Sequence, residues 1–406
     1  MSTHADRFSI TFTRKIKNIL RFFKRQTIFV IQSLPVSSKY FGSPKGSYAS
    51  SKEYWHICKT SDLNDVSYIP FLPSHTYTRN YPRSIYNKHH WKFDNMYVHI
   101  DPETFIISAP NCRVVGSIGT MITHDDKLLS DVSQQFGGGE HFIFGYLKLP
   151  TLKQVKGTVA VLATAGGEGY FHWLTEVLPR VEMLRKSFPN GIENIDRFIV
   201  NPADKLPIII ESLSLLGIPL DKLIFADIDK HIQSEMFVIP SLAGYTGNPP
   251  AWVLEFLRES FLKHKSEIEP IPKLYISRAK ASYRKITNED EVIEYLSKLG
   301  FTPIYLEEYN FTTQVALLSN AEIIVAPHGA GLTNLIWCNP GTKVLKIFSP
   351  NYVNVCFWTI AESLRLEYFY MVGNSESPVD PSSQMCQDNI YVPIEELNLS
   401  LAMMFN

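Results

Sequence analysis

Ala321-Glu-Ile-Ile-Val-Ala-Pro-His-Gly-Ala-Gly-Leu-Thr-Asn334 is the stretch on which the fold turns. An apolar run of strand length meets two closely spaced glycines, and a short helical pattern from Leu332 to Cys338 follows. Asn339-Pro340-Gly341 then turns the chain into another strand-like run, Lys343 to Phe348. This order brings bare backbone N–H groups to a helix N-terminus, where oriented donors and the helix dipole suit a phosphate. The expected place is the C-terminal edge of a parallel sheet. Gly329 and Gly331 permit close backbone approach and unusual φ values. The N–H groups of Gly329, Ala330 and Gly331, with the side chains of His328 and Asn334, are the candidate ligand contacts. The spacing is not the dinucleotide fingerprint, because Asn334 takes the third glycine position. A tight strand-to-helix turn with a structural histidine would leave the same trace.

Upstream, the pattern reads as strand Lys273–Ser277, helix Asn288–Leu299, strand Thr302–Leu306 and helix Thr312–Asn320. Asn288 is expected to cap its helix with Glu291 completing the capping box, and Gly300 to stop it. Between that first strand and helix, Arg278, Lys280, Arg284 and Lys285 put four cations within eight residues. In a parallel sheet this loop opens on the same edge as the His328 loop, and arginine makes forked, charge-assisted bonds to phosphate oxygens. The other reading is a solvated basic loop. Glu307 follows a strand and is placed to accept hydrogen bonds from a ribose, or to cap the next helix.

An earlier alternating unit begins near residue 157, with strand Val159–Ala163, a loop at Gly166-Gly167-Glu168-Gly169, and a helix from Tyr170 to Lys186. Strands Arg197–Val200, Leu223–Phe225 and Met236–Ile239 alternate with a helical stretch Leu206–Leu216, the signature of a parallel α/β sheet. On the 170–186 helix, Phe171, Leu174, Leu178 and Val181 share one face. His172, Thr175 and Glu176 share the other, with His172 and Glu176 one turn apart. Pro179 cannot donate to the Thr175 carbonyl, so a kink is expected near Glu176. A His/Glu pair beside a glycine loop is a candidate acid/base site, or else an ion-paired helix surface.

Four segments result: a basic appendage 1–45; an acceptor-side portion 46–266, β-rich over 91–150 and then α/β; a second α/β unit 273–350; and a C-terminal helix with a loop-rich tail, 351–406. Two α/β units in tandem imply a cleft between them. The bulk numbers agree with a globular protein of 406 residues, 45% hydrophobic and 19% charged. A formal net charge of −1 provides no global field for nucleic acid. Five cysteines without a C-x-x-C pair argue against a zinc site or disulfide framework and fit reduced, cytosolic thiols. No run approaches a membrane span. Residues 14–31 read as a basic, partly amphipathic helix suited to an anionic membrane surface, or as a solvated helix packed by Ile16, Leu20 and Phe23. Asp227-Ile-Asp229 matches a metal-nucleotide pattern, but its flanks belong to the wrong fold type.

Tyr170-Phe-His-Trp-Leu-Thr-Glu-Val-Leu-Pro-Arg180, Leu274-Tyr-Ile-Ser-Arg278 and Glu307 through Gln314 to Ala326-Pro-His-Gly-Ala-Gly-Leu-Thr-Asn334 together resemble glycosyltransferase family 61. The resemblance spans about residues 90–370. It implies an inverting transferase of two facing Rossmann-like halves of the GT-B type, with the β-rich portion preceding them and the donor held mostly by the C-terminal half. Carried over by position, Ser277, Arg278, His328, Gly329, Ala330, Gly331 and Asn334 would hold a nucleotide-diphosphate sugar, UDP-linked, with Arg284 and Glu307 beside them. His172 and Glu176 would lie in the cleft, either one the base that takes the proton of a glycan or polysaccharide hydroxyl. No metal and no other cofactor is expected. The absence of a spanning anchor likens the chain to the bacterial, capsular-polysaccharide branch, cytoplasmic and peripheral at the inner membrane face. The rivals are a catalytically silent nucleotide- or glycan-binding module in a polysaccharide-assembly complex, and a dinucleotide-dependent oxidoreductase.

Overall fold

A computed structural model describes residues 26–28, 30–33, 36–61, 65–204, 206–375, 377–379 and 387–405. Most of the basic stretch 14–31 lies outside the described residues. Among those described, no helix is long and apolar enough to cross a membrane.

Two sheets organise the chain. The first contains β1 (Ser47–Tyr48) and β2 (Ser67–Leu72), while β3 (His75–Thr78) and β4 (Val98–Asp101) form a separate antiparallel ribbon. The first sheet continues with β5 (Thr104–Pro110), β6 (Arg113–Val115), β7 (Thr120–Ile122), β8 (Leu128–Leu129), β9 (Lys153–Val161), β10 (Arg197–Val200), β11 (Leu223–Phe225) and β12 (His231–Pro240). The short strands expected over 105–123 and the parallel strands expected after 157 therefore share one mixed sheet, while the one expected near 96–100 is β4 of the ribbon. The joint is β12: one edge runs parallel to β9, and the other pairs antiparallel with β6 over 231–233 and with β5 over 236–240.

The second sheet is parallel throughout: β13 (Lys273–Ile276), β14 (Thr302–Ile304), β15 (Ile323–Pro327), β16 (Lys343–Phe348) and β17 (Glu367–Val372), in spatial order β14-β13-β15-β16-β17. In chain order this is 2-1-3-4-5, the doubly wound arrangement whose order reverses between the first and third strands. The reversal opens a crevice above the carboxyl ends of β13 and β15, where Ser277-Arg278 and His328-Gly329 stand. Alternation along each strand sends Tyr275, Val325, Leu345 and Ile347 to one apolar layer, under the helices Glu289–Lys298 and Ile394–Phe405. Leu274, Ile276, Ile324 and Ala326 face the other layer, which continues without a break through Trp337, Phe261 and Leu174 into the first sheet at Leu162 and Val200. The two halves share this core.

The tail read as loop-rich contains β17 and the helix Ile394–Phe405. Its strand also receives the N-terminal part of the chain. Arg83 bridges parallel to Phe369, giving and taking backbone hydrogen bonds with Tyr368 and Tyr370. Phe93 lies wholly buried against Trp358 and Tyr370, with ring centroids 5.2 and 4.9 Å away. Asn288 stands at the N-cap position of its helix without capping it. Its amide instead donates to Val392 O and accepts from Val392 N, stitching on the returning tail. Gly300, at φ +83°, ends that helix as expected.

The Phe93 ring ties residues 79–97 to the second half. Phe93→Ala is expected to lower unfolding free energy by about 3–5 kcal/mol, the usual cost of emptying a buried aromatic site. Urea denaturation followed by tryptophan fluorescence measures it, and a loss below ~1 kcal/mol would contradict the anchoring role.

Candidate functional site

The helix that carries His172 runs through three registers. Tyr170–His172 is α-helical, Trp173–Val177 forms one π turn, and Leu178–Ser187 resumes the α-helix. The kink expected at Pro179 is absorbed as this π turn: Leu178 N–H bonds to Trp173 O, five residues back, and Thr175 Oγ1 donates to Phe171 O. The entry loop is fixed by Asn201, whose side chain accepts from Thr164 N and donates to the carbonyls of Thr164 and Ser117. A Cβ on Gly167 would collide with that amide.

The face expected to be polar and exposed is mostly inside the protein. Glu176 is 6% exposed at its side chain and Thr175 is buried, whereas the His172 side chain is 26% exposed. His172 Nδ1 lies 3.0 Å from Glu176 Oε1. One further turn along, the fully buried Arg180 donates to the carbonyls of Leu162 and Ala163 and sits in the field of the Glu176 carboxylate. Burial pushes the Arg180 guanidinium down to about 10, against the opposing pull of Glu176. The line His172–Glu176–Arg180 therefore runs from an open imidazole to a buried cation. Phe136, exposed on the Gly137-Gly138-Gly139 loop, lies 5.3 Å from the His172 ring.

His172 faces a cavity of about 350 Å³ between the halves. The first half lines it with Met96, Gly169–His172 and Thr246–Asn248; the second with Arg284, His328, Ala330, Tyr352 and residues 354–357. Four of the expected site residues thus meet there: His172, Arg284, His328 and Ala330. Glu176 stands behind His172. Arg278 packs on the bare backbone of Gly329, so closely that a Cβ there would strike the guanidinium. Its Nη2 donates to Tyr283 O at 3.0 Å, and its Nε is buried with no partner among the described residues.

Gly329 is extended at φ −173°, and Gly331 also avoids positive φ. Both glycines are therefore required for close approach, Gly329 to Arg278 and Gly331 to Leu306, and the unusual φ values expected of them are absent. The helix after them is a 3-10 helix, Ala330–Trp337. Arg284 itself holds the left-handed conformation at φ +56°, and its Nε donates to His328 O at 3.1 Å.

Other expected contacts are committed elsewhere. Ser277 Oγ donates to Glu289 Oε1, which also accepts from Tyr275. Asn334 is fully buried: its Oδ1 accepts from Tyr170 and Trp337, and its Nδ2 donates to Gln314 and Gly331. It ties the glycine loop to the His172 helix across the cleft. Glu307 is exposed and acts on Arg278 only through its charge. Asp227 and Asp229 lie on an exposed turn outside the cavity lining.

The second half surrounds His328 with positive charge. Burial first, then Lys346, Arg284, Arg278 and Lys92, hold its imidazole well below its ordinary range, so the ring is neutral. Its Nδ1 is buried without a partner among the described residues, as is Asn248 Oδ1 across the cavity. Buried polar atoms left unpaired are rare and call for an explanation; here they border one cavity. Sequence reasoning missed Lys346, Tyr352, Asn354 and Asn248. Lys346 did leave a signal, a lone cation in the buried strand Val344-Leu-Lys-Ile-Phe348.

Residues 170–345, from the His172 helix to the middle of β16, match the family model Glycosyltransferase 61. An EGF domain-specific O-linked N-acetylglucosamine transferase of Drosophila melanogaster is 28% identical over 117 residues, 27% of this chain and 22% of that protein. A beta-1,2-xylosyltransferase of Oryza sativa subsp. japonica is 30% identical over 92 residues, 21% of this chain and 17% of its own. A beta-1,2-xylosyltransferase of Arabidopsis thaliana is 29% identical over 107 residues, 23% and 20% respectively. The chain spans about a fifth of the length of these curated relatives. None of the three is bacterial.

Asn334→Ala would strip partners from buried Trp337 and from half-buried Tyr170 and Gln314. It is expected to cost about 2–4 kcal/mol, whereas Tyr170→Phe should cost only ~1 kcal/mol. Chemical denaturation of both variants checks the ranking, and equal costs would show that Asn334 serves Tyr170 alone.

Proposed function

We propose that this chain is an inverting glycosyltransferase, moving a sugar from a UDP-linked donor to a hydroxyl of a glycan or polysaccharide across two GT-B-like halves. The observation that supports it most is the meeting, at one cavity, of an imidazole from the first half with Arg284 and the glycine loop of the second. The match of residues 170–345 to the transferase family supports the same reading.

On this reading each part follows from where its residue stands. Glu176 takes the Nδ1 side of His172, which leaves Nε2 to accept the acceptor's proton; Glu176 orients the ring and stabilises the imidazolium. The acceptor oxygen attacks the anomeric carbon as the bond from that carbon to the diphosphate oxygen breaks. The diphosphate leaves with the electron pair, and a single displacement inverts the centre. Arg278, Arg284 and the N–H groups at residues 329–331 are donors fixed before the charge develops, the form of stabilisation that costs least reorganisation. Phe136 and Met96 belong to the acceptor side, because both flank His172 from the first half.

The relatives' names point to xylose and N-acetylglucosamine as the first donors to try. Purified protein should release UDP from UDP-xylose or UDP-N-acetylglucosamine in the presence of an oligosaccharide panel. His172→Ala should lower kcat about 10²–10⁴-fold, and Arg278→Ala should abolish turnover. An Arg278→Ala enzyme at full rate would refute its role. Absence of hydrolysis and of transfer, with nucleotide binding intact, would favour a silent binding module.

A further inference from the structure

Lys346 lies in the middle of β16 and is wholly buried. Its Nζ has one hydrogen-bond partner among the described residues, Asn354 O at 2.8 Å, and no carboxylate there within ion-pair distance. The ammonium sits 4.2 Å from the Phe348 ring centre and 4.7 Å from that of Phe357. His328 packs on the same two rings, at 6.3 and 5.2 Å. Asn354, Phe357 and His328 all line the cavity, so Lys346 lies behind its lining, in contact with Asn354 and Phe357. A buried cation without a counter-charge is costly in isolation. Beside it, the buried His328 Nδ1 has no partner among the described residues.

We propose that Lys346 is a buried positioning cation for the donor diphosphate, acting from beneath His328, so that diphosphate binding and protonation of Lys346 are one coupled event. This rests on reading the cavity as a nucleotide-sugar site. The groups beside Lys346 are His328, on the same two rings, Arg284 from the basic loop, and Cys356 from the helix Cys356–Ser363. Tyr370 of β17 is its cross-strand partner in register, and Arg278 and Lys92 act on the neighbouring His328. No carboxylate is among them. Burial pushes the Lys346 ammonium down to about 7, and the Cys356 thiol up to about 11, so only the lysine changes charge just above neutrality. A lysine lowered in the free protein and restored by an anion takes up a proton on binding. Affinity is then greatest at or below pH 7 and falls as pH rises, by up to tenfold per unit until the lysine of the complex also titrates.

The test is calorimetry of UDP, with GDP in parallel, on the full chain between pH 7 and 9 in two buffers of different ionisation enthalpy. Wild type should take up close to one proton at pH 8. Lys346→Met should bind at least tenfold more weakly at pH 7 and take up none, and Lys346→Arg should restore binding without the pH dependence. The nucleotide's own ionisation cancels in these comparisons. Circular dichroism establishes that each variant is folded, and the wild-type proton count stands without them. Wild-type binding with no proton uptake, or an unchanged profile in Lys346→Met, would overturn the coupling and leave the donor site standing. Binding of neither nucleotide at any pH would remove the donor reading, and the coupling with it.

Discussion

The approach of the Arg278 guanidinium to the bare backbone of Gly329 is the contact on which the candidate site depends. It exists because the parallel sheet reverses its strand order between β13 and β15, which sets the ends of those strands side by side. A side chain on Gly329 would push the arginine away, and a different strand order would separate the two loops altogether. Chain topology thus does the first work of concentrating positive charge. Arg284, held in a left-handed conformation with its Nε on the His328 carbonyl, then fixes the loop that carries both arginines. Backbone geometry of this sort is tolerated where the surroundings over-determine it.

The other wall is organised by one helix. Its π turn shifts the register between His172 and the segment after Val177, so that a proline sits in a buried helix without a broken ladder. The same turn carries Glu176 inward, against His172 on one side and toward Arg180 on the other. Asn334 and Tyr170 then fasten this helix to the glycine loop. The cavity therefore owes its shape to polar contacts across the halves as much as to the apolar layer beneath them.

Much of this was legible from residues alone. Strands Arg197–Val200, Leu223–Phe225 and Lys343–Phe348 have the ends that hydrophobic periodicity assigns them. The pairing of the 278 and 328 loops on one sheet edge followed from strand–helix alternation. What pattern cannot carry is the commitment of individual polar atoms. Asn334 and Ser277 lie on the expected loops but outside the cavity lining, and their hydrogen bonds are filled by Gln314, Tyr170, Trp337 and Glu289, which lie 3 to 164 residues away in sequence. Asn288 was expected to cap a helix and instead holds the tail, because residues 390–392 return beside it. Lys346 escaped notice because strand periodicity treats one cation among apolar neighbours as an irregularity, and only packing reveals that it lies under a cavity.

The strap of residues 79–97 along β17 has a consequence for how the protein is made. Phe93 and Arg83 find their partners at positions 348–370, nearly three hundred residues later. A ribosome delivers the chain from its N-terminus, so this segment must wait, with its aromatic anchor unmet, until β17 has emerged. Contacts so distant in sequence are slow to close, and waiting apolar groups invite misassembly. Closure of the cleft is thereby deferred: it is walled in only when the edge strand of the second sheet is available to be paired.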